Sequence, residues 1–233
     1  MRIGILGCGR MGSMIARMAC AEKDLELVAC VDSDSPGEEE LCGVKVSRAS
    51  ELERVLAEKK PDVVIDFSGA EATAANAPVV LRHSDAVIGT TGLSAAQTDE
   101  IGRLVRESGR GAVISPNMAL GVNVLFSVVE QVARALPLYD VEIVEAHHRT
   151  KKDAPSGTAK RLAEKIGRDA PVHAIRAGGI VGDHTVIFAS QTERLELTHR
   201  AHSREAFAAG ALAAARFVKG RKGVFSMKEV LGL

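Results

Sequence analysis

The sequence predicts an α/β protein that combines a Rossmann-type dinucleotide-binding domain with an α+β domain containing a mixed sheet. Short apolar segments alternate with helical patterns through the first half of the chain, which is typical of a parallel sheet covered by helices on both faces. A glycine turn with the spacing G-x-G-x-x-G follows the first apolar segment. After Pro116, strand-like segments follow one another with little helix between them, which favours a second domain.

Apolar and β-branched runs predict the strands of the first half, and the segments between them have a helical pattern. The strands are expected at Arg2–Leu6, Leu25–Val31, Asp62–Phe67, Ala86–Ile88 and Ala112–Ser115. The helices are expected at Gly12–Glu22, Glu51–Lys59, Glu71–Arg82 and Ala95–Glu107. The stretch Asp32–Gly43 contains a Pro-Gly pair and consecutive glutamates, and we expect a polar surface loop there.

The second half is predicted in the same way. Helices are expected at Leu120–Leu136, Thr158–Ile166 and the alanine-rich segment Arg204–Lys219, with one further turn at Ser226–Leu231. Strands are expected at Val141–His147, Val172–Arg176, Thr185–Ser190 and Arg194–His199. We therefore expect residues 1–119 and 205–233 to form the dinucleotide-binding domain. Residues 120–204 would form a substrate-binding and oligomerisation domain.

Composition narrows the class of partner. Thirty basic residues balance thirty acidic ones, and the chain has no Trp and one Tyr, so neither a nucleic acid nor an anionic membrane surface is an expected partner. The four cysteines lie in the first fifth of the chain at spacings that match no zinc pattern. Met1 leads directly into the first strand, and no apolar run approaches the roughly 20 residues of a membrane span. We expect reduced thiols, no bound metal and a cytoplasmic location.

The glycine turn is the first candidate ligand site. It follows a strand, opens a helix and has Asp32 twenty residues beyond its last glycine, which together indicate a dinucleotide-binding fingerprint. Gly7 permits the tight turn, Gly9 allows the pyrophosphate to approach the backbone, and Gly12 allows close packing of helix on strand. Asp32 is placed to accept hydrogen bonds from the adenosine ribose. The predicted contacts in this turn are Gly7, Cys8, Gly9, Arg10, Met11 and Gly12.

Three further segments follow strands at the same edge of the predicted sheet. They are Asp66-Phe67-Ser68, Gly89-Thr90-Thr91-Gly92 and Ser115-Pro116-Asn117-Met118. Ligands of doubly wound folds bind at the carboxyl ends of the strands, so we expect these polar loops to line the ligand site. Phe67 could pack on the cofactor.

The segment Glu145–Ala159 reads E-A-H-H-R-T-K-K-D-A-P-S-G-T-A and is the second candidate site. Its imidazoles can move protons near neutral pH, and its cations and the helix start after Ser156 can hold anions. On a regular strand His147 and His148 point to opposite faces, so both reach one ligand only if the strand ends or twists here. We expect the Gly157 and Thr158 amides to be left free for a carboxylate.

Two simpler interpretations of the paired histidines remain, namely solvated loop residues or a metal site, although adjacent histidines lack the usual zinc spacing. The other histidines are expected to be surface or packing residues, with His199 and His202 as possible exceptions. This group comprises His83, His173, His184, His199 and His202.

Read as E-A-H-H-x-x-K-x-D-A-P-S-G-T-A, the segment resembles the signature of the dihydrodipicolinate reductase family, the 4-hydroxy-tetrahydrodipicolinate reductases of diaminopimelate and lysine biosynthesis. Arg176–Thr185 and Glu193–His199 resemble later strands of that family. The resemblance implies reduction of a small cyclic dicarboxylate by NADH and/or NADPH. In this family His147 would donate or accept a proton and Lys151 would be a second acid.

The same resemblance implies further contacts. His148, Gly157 and Thr158 would bind a substrate carboxylate. The nicotinamide and its ribose would be held by Gly89, Thr90 and Thr91 and by Ser115, Pro116, Asn117 and Met118. The chain departs from the family pattern in two places: its glycine turn is one residue shorter than in many members, and Gly69 stands where an arginine often occurs.

Two other functions remain open from the sequence. One is a related two-domain NAD(P)-dependent amino-acid dehydrogenase with an aspartate-like substrate, and the other is a non-catalytic NAD(H) sensor. A sensor function would give no role to His147, His148, Lys151 and Gly157.

Assembly is predicted from the last two strands of the second domain. Val186 and Phe188 alternate with polar neighbours, as do Leu195 and Leu197, which predicts an apolar sheet face that is only partly covered. Such a face usually marks a subunit contact, and the resembled family is typically tetrameric through this sheet. We expect a homotetramer with contacts in residues 120–204.

Overall fold

The computed structural model describes residues 1–33 and 40–233. The middle of the predicted loop Asp32–Gly43 therefore lies outside the described residues. The chain divides into two compact units, Met1–Ala119 with Phe207–Gly232, and Leu120–Ala206 with Leu233. None of the described helices combines the length and the apolar character of a membrane-spanning segment.

Strands and helices alternate through the first unit. In chain order they are β1 Arg2–Leu6, α1 Arg10–Ala21, β2 Glu26–Asp32, β3 Glu40–Leu41, β4 Val44–Arg48, α2 Leu52–Lys59, β5 Val63–Asp66, α3 Ala70–His83, β6 Asp85–Ile88, α4 Ala95–Ser108 and β7 Gly111–Ile114. The chain continues with α5 Leu120–Ala135, β8 Asp140–His147, α6 Gly157–Ile166, β9 Val172–Arg176, β10 Gly182–Ala189, β11 Arg194–Ala201, α7 Glu205–Val218, β12 Gly223–Phe225 and α8 Met227–Leu231.

The described strands of the first unit form one sheet with the order β12-β7-β6-β5-β1-β2-β4-β3. Every neighbouring pair is parallel except β3 and β4. Ile3, Val63 and Val87 are fully buried, as expected for strands covered on both faces. The chain leaves β1 on one side for β2 and returns on the other side for β5, so the ligand edge of this doubly wound sheet lies at their carboxyl ends. This confirms the predicted Rossmann-type sheet.

The second unit has a mixed sheet with the order β11-β10-β8-β9. The first three strands are antiparallel and β9 is parallel to β8. Helices α5 and α6 contact each other, and they also contact strands of this sheet. The predicted mixed α+β arrangement is therefore confirmed.

The sheet face that carries Val186 and Phe188 was expected to be only partly covered. Both side chains are fully buried, and α5 and α6 contact strands of this sheet. Leu195 and Leu197 pair with them on β11, where Leu195 is still 39% exposed, so the cover is partial. The opposite face, the outer face of the sheet, carries partly buried residues such as Ile187.

Three short strands were not expected from the sequence. Strand β3 begins at Glu40, inside the stretch that was predicted as a loop, β4 follows it, and Asp32 belongs to β2. These strands and β12 have five residues or fewer, too few to show a clear period. Strand β10 begins at Gly182, three residues earlier than predicted, because it pairs with both β8 and β11.

A close backbone approach in the first unit provides a test of the packing. A Cβ atom added at Gly210 of α7 would lie 1.7 Å from the Met118 carbonyl oxygen, whereas one at Gly102 of α4 has its nearest neighbour at 3.5 Å, on the Arg106 side chain. We expect Gly210→Ala to lower the free energy of unfolding by about 1–3 kcal/mol and Tm by roughly 3–10 °C. The matched Gly102→Ala variant should keep or raise Tm, because alanine favours helix. Equal melting of both variants would contradict this packing.

Candidate active site

The glycine turn has the geometry of a dinucleotide fingerprint. Gly7 has φ = 79°, and a Cβ there would lie 2.6 Å from the Ser68 backbone. A Cβ at Gly12 would lie 1.9 Å from the Gly7 carbonyl oxygen. Both positions therefore require glycine, one for its backbone conformation and its close neighbour and the other for packing of α1 on the turn.

The start of α1 suits an anion. Within the described residues, Gly9 precedes the helix without a side-chain cap, and the first turn carries no acidic residue. A Cβ added at Gly9 would meet no atom within 4 Å, so the backbone is open to a ligand on this side. Exposed N–H groups at the N-terminus of a 12-residue helix attract phosphate. These residues therefore fit the pyrophosphate of a dinucleotide.

Asp32 ends β2 beside this turn. Its Oδ2 accepts a hydrogen bond from the Cys8 amide at 2.5 Å, so the carboxylate helps to fix the turn. The side chain is partly exposed. Its place at the carboxyl end of β2 is the one from which an acid in this fold reaches the adenosine ribose.

A buried polar cluster lies at the end of β5. The Asp66 Oδ1 atom accepts hydrogen bonds from the Ser68 amide at 2.8 Å and from the Ser68 hydroxyl at 2.6 Å. Thr90 is hydrogen-bonded to Thr73 at 2.8 Å and donates to the Asp66 carbonyl at 3.4 Å. Burial raises the pKa of Asp66 in spite of these bonds. The cluster thus fixes Thr90 of the G-T-T-G loop.

Phe67 packs on the same loop. A Cβ at Gly89 would lie 2.1 Å from the Phe67 ring, so this glycine makes room for the aromatic side chain. The next loop is held by its own polar groups, because the buried Ser115 hydroxyl donates to the Asn117 carbonyl at 2.8 Å. Asn117 Oδ1 in turn accepts from the Ala119 amide at 3.0 Å. Both loops are therefore ordered from within the unit.

A cavity of about 420 Å³ brings these two loops together. Thr90, Gly92 and Pro116 line one side of it, and the C-terminal residues Val224 and Phe225 line another. The volume falls within the range of small-molecule sites. The two loops were expected from the sequence, but the wall formed by β12 was not.

His147 ends β8 and is largely buried. Its Nδ1 atom lies 2.5 Å from Oε2 of Glu145, a carboxylate that is fully buried. Arg176 of β9 donates to both Glu145 oxygens, at 2.9 and 2.7 Å. The Ser156 amide donates to Oε1 at 3.1 Å. One acid thus joins the two strands and the start of α6.

The pKa directions follow from these contacts. Burial alone would raise the pKa of Glu145, but the bonds from Arg176, His147 and Ser156 outweigh it and lower this pKa. Burial lowers the pKa of His147, and Glu145 only partly offsets that effect. His184 packs edge-on against His147 with the ring centroids 5.2 Å apart. Burial and the neighbouring imidazole lower the pKa of His184 to about 4.

The lysine predicted as a second acid is partly buried. Lys151 Nζ lies 2.7 Å from Asp153 Oδ1, and this bond, with a backbone bond from Gly157, lowers the pKa of Asp153. The expected contact between the Gly157 amide and a substrate carboxylate stays a prediction. A Cβ at Gly157 would still meet no atom within 4 Å, so the helix start is open to a ligand.

The paired histidines lie where a strand ends, as the sequence required for both to reach one ligand. Strand β8 ends at His147, so the expected strand end is present, and the His148 Nδ1 atom is hydrogen-bonded to Thr150 at 2.8 Å. The charge of Lys151 acts on His147. No group of three or more metal-ligating side chains occurs in the described part of the chain.

Three residues of this site were not expected from the sequence, namely Glu145, Arg176 and His184. The alternation Glu145-x-His147 placed both side chains on one face of a strand, which was the available signal for Glu145. His184 was expected to be a surface or packing residue. It is a buried neighbour of His147 because β10 starts earlier than predicted.

The doubly wound sheet with its glycine turn, together with a separate mixed-sheet unit, defines the class of two-domain proteins that bind a dinucleotide. The N-terminal family model of dihydrodipicolinate reductase matches residues 1–118 and the C-terminal model matches residues 121–231. The chain belongs to the dihydrodipicolinate reductase family, as the segment Glu145–Ala159 led us to expect.

Relatives of the same family are similar to this chain along its whole length. The 4-hydroxy-tetrahydrodipicolinate reductase of Methanosarcina barkeri (strain Fusaro / DSM 804) is 44% identical, with 99% of each chain covered. That of Methanothermobacter thermautotrophicus is 43% identical, with 100% of this chain and 99% of the relative covered. A dipicolinate-bound dihydrodipicolinate reductase from Paenisporosarcina sp. TG-14 has the same fold, with a TM-score of 0.84, 24% identity and 98% of each chain covered.

Proposed function

We propose that the protein reduces (2S,4S)-4-hydroxy-2,3,4,5-tetrahydrodipicolinate to (S)-2,3,4,5-tetrahydrodipicolinate with a reduced nicotinamide dinucleotide. One hydride and one proton enter the substrate and one water leaves. The observation that carries this proposal is the full-length similarity to reductases of that name at 42–44% identity. The reaction belongs to diaminopimelate and lysine biosynthesis, and we expect a cytoplasmic enzyme without a nucleic-acid partner.

In this proposal residues 1–119 and 205–233 bind the dinucleotide. When bound, the nicotinamide supplies the hydride. The open backbone at Gly9 and the start of α1 suit the pyrophosphate, and Asp32 suits the ribose. The cavity between the loops of Thr90 and Pro116 suits the nicotinamide end.

Residues 120–204 would hold the substrate. His147 and Lys151 supply the proton, since charge that accumulates on the ring during hydride transfer must be neutralised by a positioned acid. His148, Gly157 and Thr158 bind a substrate carboxylate. The positive potential of the segment, to which Arg149 contributes, favours a dicarboxylate.

The main rival is a two-domain dehydrogenase with an aspartate-like substrate. The decisive experiment is an assay of purified protein with NADH and NADPH against 4-hydroxy-tetrahydrodipicolinate and against aspartate. We expect turnover of the first substrate only, with inhibition by pyridine-2,6-dicarboxylate. Turnover of aspartate alone would overturn the proposal, and dinucleotide binding without turnover of either substrate would indicate a sensor.

The cofactor prediction rests on Asp32. A carboxylate at the ribose repels a 2′-phosphate, and Ser33 supplies no cation to hold one, so NADH should be used at least as well as NADPH. The measurement is kcat/KM for both cofactors in the wild type and in Asp32→Asn, with the exposed Asp99→Asn as a control. We expect Asp32→Asn alone to shift the ratio towards NADPH. A many-fold NADPH preference in the wild type would contradict this and would implicate a cation such as Arg10, which Arg10→Ala would test.

The catalytic prediction separates chemistry from binding. His147→Ala and Lys151→Ala should each lower kcat by roughly 10²–10⁴-fold, the range that a positioned acid contributes. His148→Ala should mainly raise KM. The matched control is Lys152→Ala, because Lys152 is exposed while Lys151 is partly buried. If Lys152→Ala loses kcat and Lys151→Ala keeps it, the lysine is wrongly assigned.

We further propose that the protein is a homotetramer assembled through the outer face of the second sheet. Ile187 and Ile175 lie on this face, and Ile175 is 47% exposed. Light scattering at micromolar concentration should give about four times the chain mass of 24.6 kDa. Ile187→Asp should lower that mass, whereas Val224→Asp in the first unit should not. A monomeric wild type with full activity would refute the proposal.

A further inference from the structure

The fully buried carboxylate of Glu145 has no part in the reaction proposed above, although three groups are arranged around it. It accepts hydrogen bonds from Arg176 and from the Ser156 amide, and it contacts Nδ1 of His147. Burying a carboxylate is costly unless it is paired and hydrogen-bonded. A charge placed here against that cost calls for an explanation beyond packing.

We propose that Glu145, held by Arg176, is a positioning residue that fixes the ring of His147 with its Nδ1 proton on the carboxylate and leaves Nε2 as the atom that exchanges a proton with the substrate. This inference rests on the proposed function of His147. It adds the atom that reacts and the residues that select it.

The tautomer follows from hydrogen-bond capacity. Arg176 and the Ser156 amide can only donate, so both oxygens of Glu145 act as acceptors. An ionised carboxylate has no proton to donate. The contact at 2.5 Å therefore needs the proton on Nδ1 of His147. A neutral ring then carries its lone pair on Nε2, and a charged ring carries its transferable proton there.

The surroundings of Nε2 agree with this role. A Cβ atom added at Gly182 would lie 3.2 Å from Nε2 of His147, so the glycine leaves space beside this atom. The edge of the His184 ring packs against the His147 ring. The imidazole is thus held on one side by Glu145 and on another by β10.

Four titratable or charged groups face His147, and they act in opposite directions. Burial lowers the pKa of the ring first, Glu145 raises it, and Lys151 and Arg176 lower it. His184, with its own pKa lowered to about 4, is neutral near pH 7. Removing the charge of Glu145 should lower the pKa of His147 further. Activity that needs the protonated ring would then be lost at a lower pH.

The test compares Glu145→Gln with a matched control. Glu53 also bridges one arginine and one histidine, Arg82 and His83, but it is exposed in the first unit. We expect Glu145→Gln to lower kcat by about 10²-fold with little change in KM, and to move the limb of the kcat profile where His147 loses its proton to lower pH. Glu53→Gln should keep the wild-type rate and profile. An unshifted profile in Glu145→Gln would overturn the proposal.

NMR of ¹⁵N-labelled histidine reports which ring nitrogen of His147 carries the proton and what the pKa of the ring is. A purely structural role of Glu145 would leave both unchanged. Wild-type His147 should show the proton on Nδ1 in its neutral form, and Glu145→Gln should lower its pKa. A wild-type ring with its proton on Nε2 would overturn the proposal without any variant. If Glu145→Gln does not fold, Arg176→Lys keeps a charge beside Glu145 but loses the bidentate contact, and it should give a smaller loss of kcat. Wild-type kcat in that folded variant would contradict the proposed role of Arg176.

These measurements separate the two proposals. Failure of the wild type to reduce the substrate would remove the proposed function, while the NMR measurements would still report on the ring. If the wild type turns over the substrate normally and the pKa of His147 is the same in Glu145→Gln, only the positioning role of Glu145 is removed.

Discussion

The second unit depends on one ion, the carboxylate of Glu145. Desolvation of a carboxylate costs several kcal/mol even after relaxation, and here Arg176, Ser156 and His147 together offset it. These partners come from β9, from the start of α6 and from the end of β8, so satisfying the charge fixes three elements relative to one another. Removing one partner of such a buried pair typically costs about 3–5 kcal/mol. The position of the reactive imidazole is thus coupled to the folding of its unit.

The first unit depends instead on main-chain segments that lie very close to one another at the glycine turn. At Gly7 and Gly12 a single methyl group would collide with main-chain atoms, whereas at Gly9 it would meet nothing. The fold itself therefore explains Gly7 and Gly12, but it does not explain Gly9. Within the same turn, the packing separates residues that shape the protein from the one that leaves room for a ligand.

This contrast explains what the sequence could predict. Glycine spacing and apolar runs depend on local geometry, so the doubly wound sheet, its turn and the long helices were predictable to within a few residues. The short strand β12 and the early start of β10 depend on pairing with distant strands, which no local pattern records. His184 was missed for that reason. Glu145 was visible in the segment but had no evident role, since Arg176 lies thirty-one residues further along the chain.

The charges of the segment Glu145–Ala159 are more balanced than their sequence suggests. Read as a string, it is a cluster of cations beside a helix start, a combination that would repel itself if left unpaired. In the folded chain both carboxylates of the segment form ion pairs. Asp153 pairs with Lys151, and Glu145 pairs with Arg176. The two pairs differ in burial, because Glu145 is fully buried while Asp153 is exposed at the start of α6. An exposed pair is worth little in water and exchanges partners readily, whereas a buried one does not. The burial of the two carboxylates therefore separates a fixed part of the site, which orients His147, from a part that a ligand's carboxylate can enter.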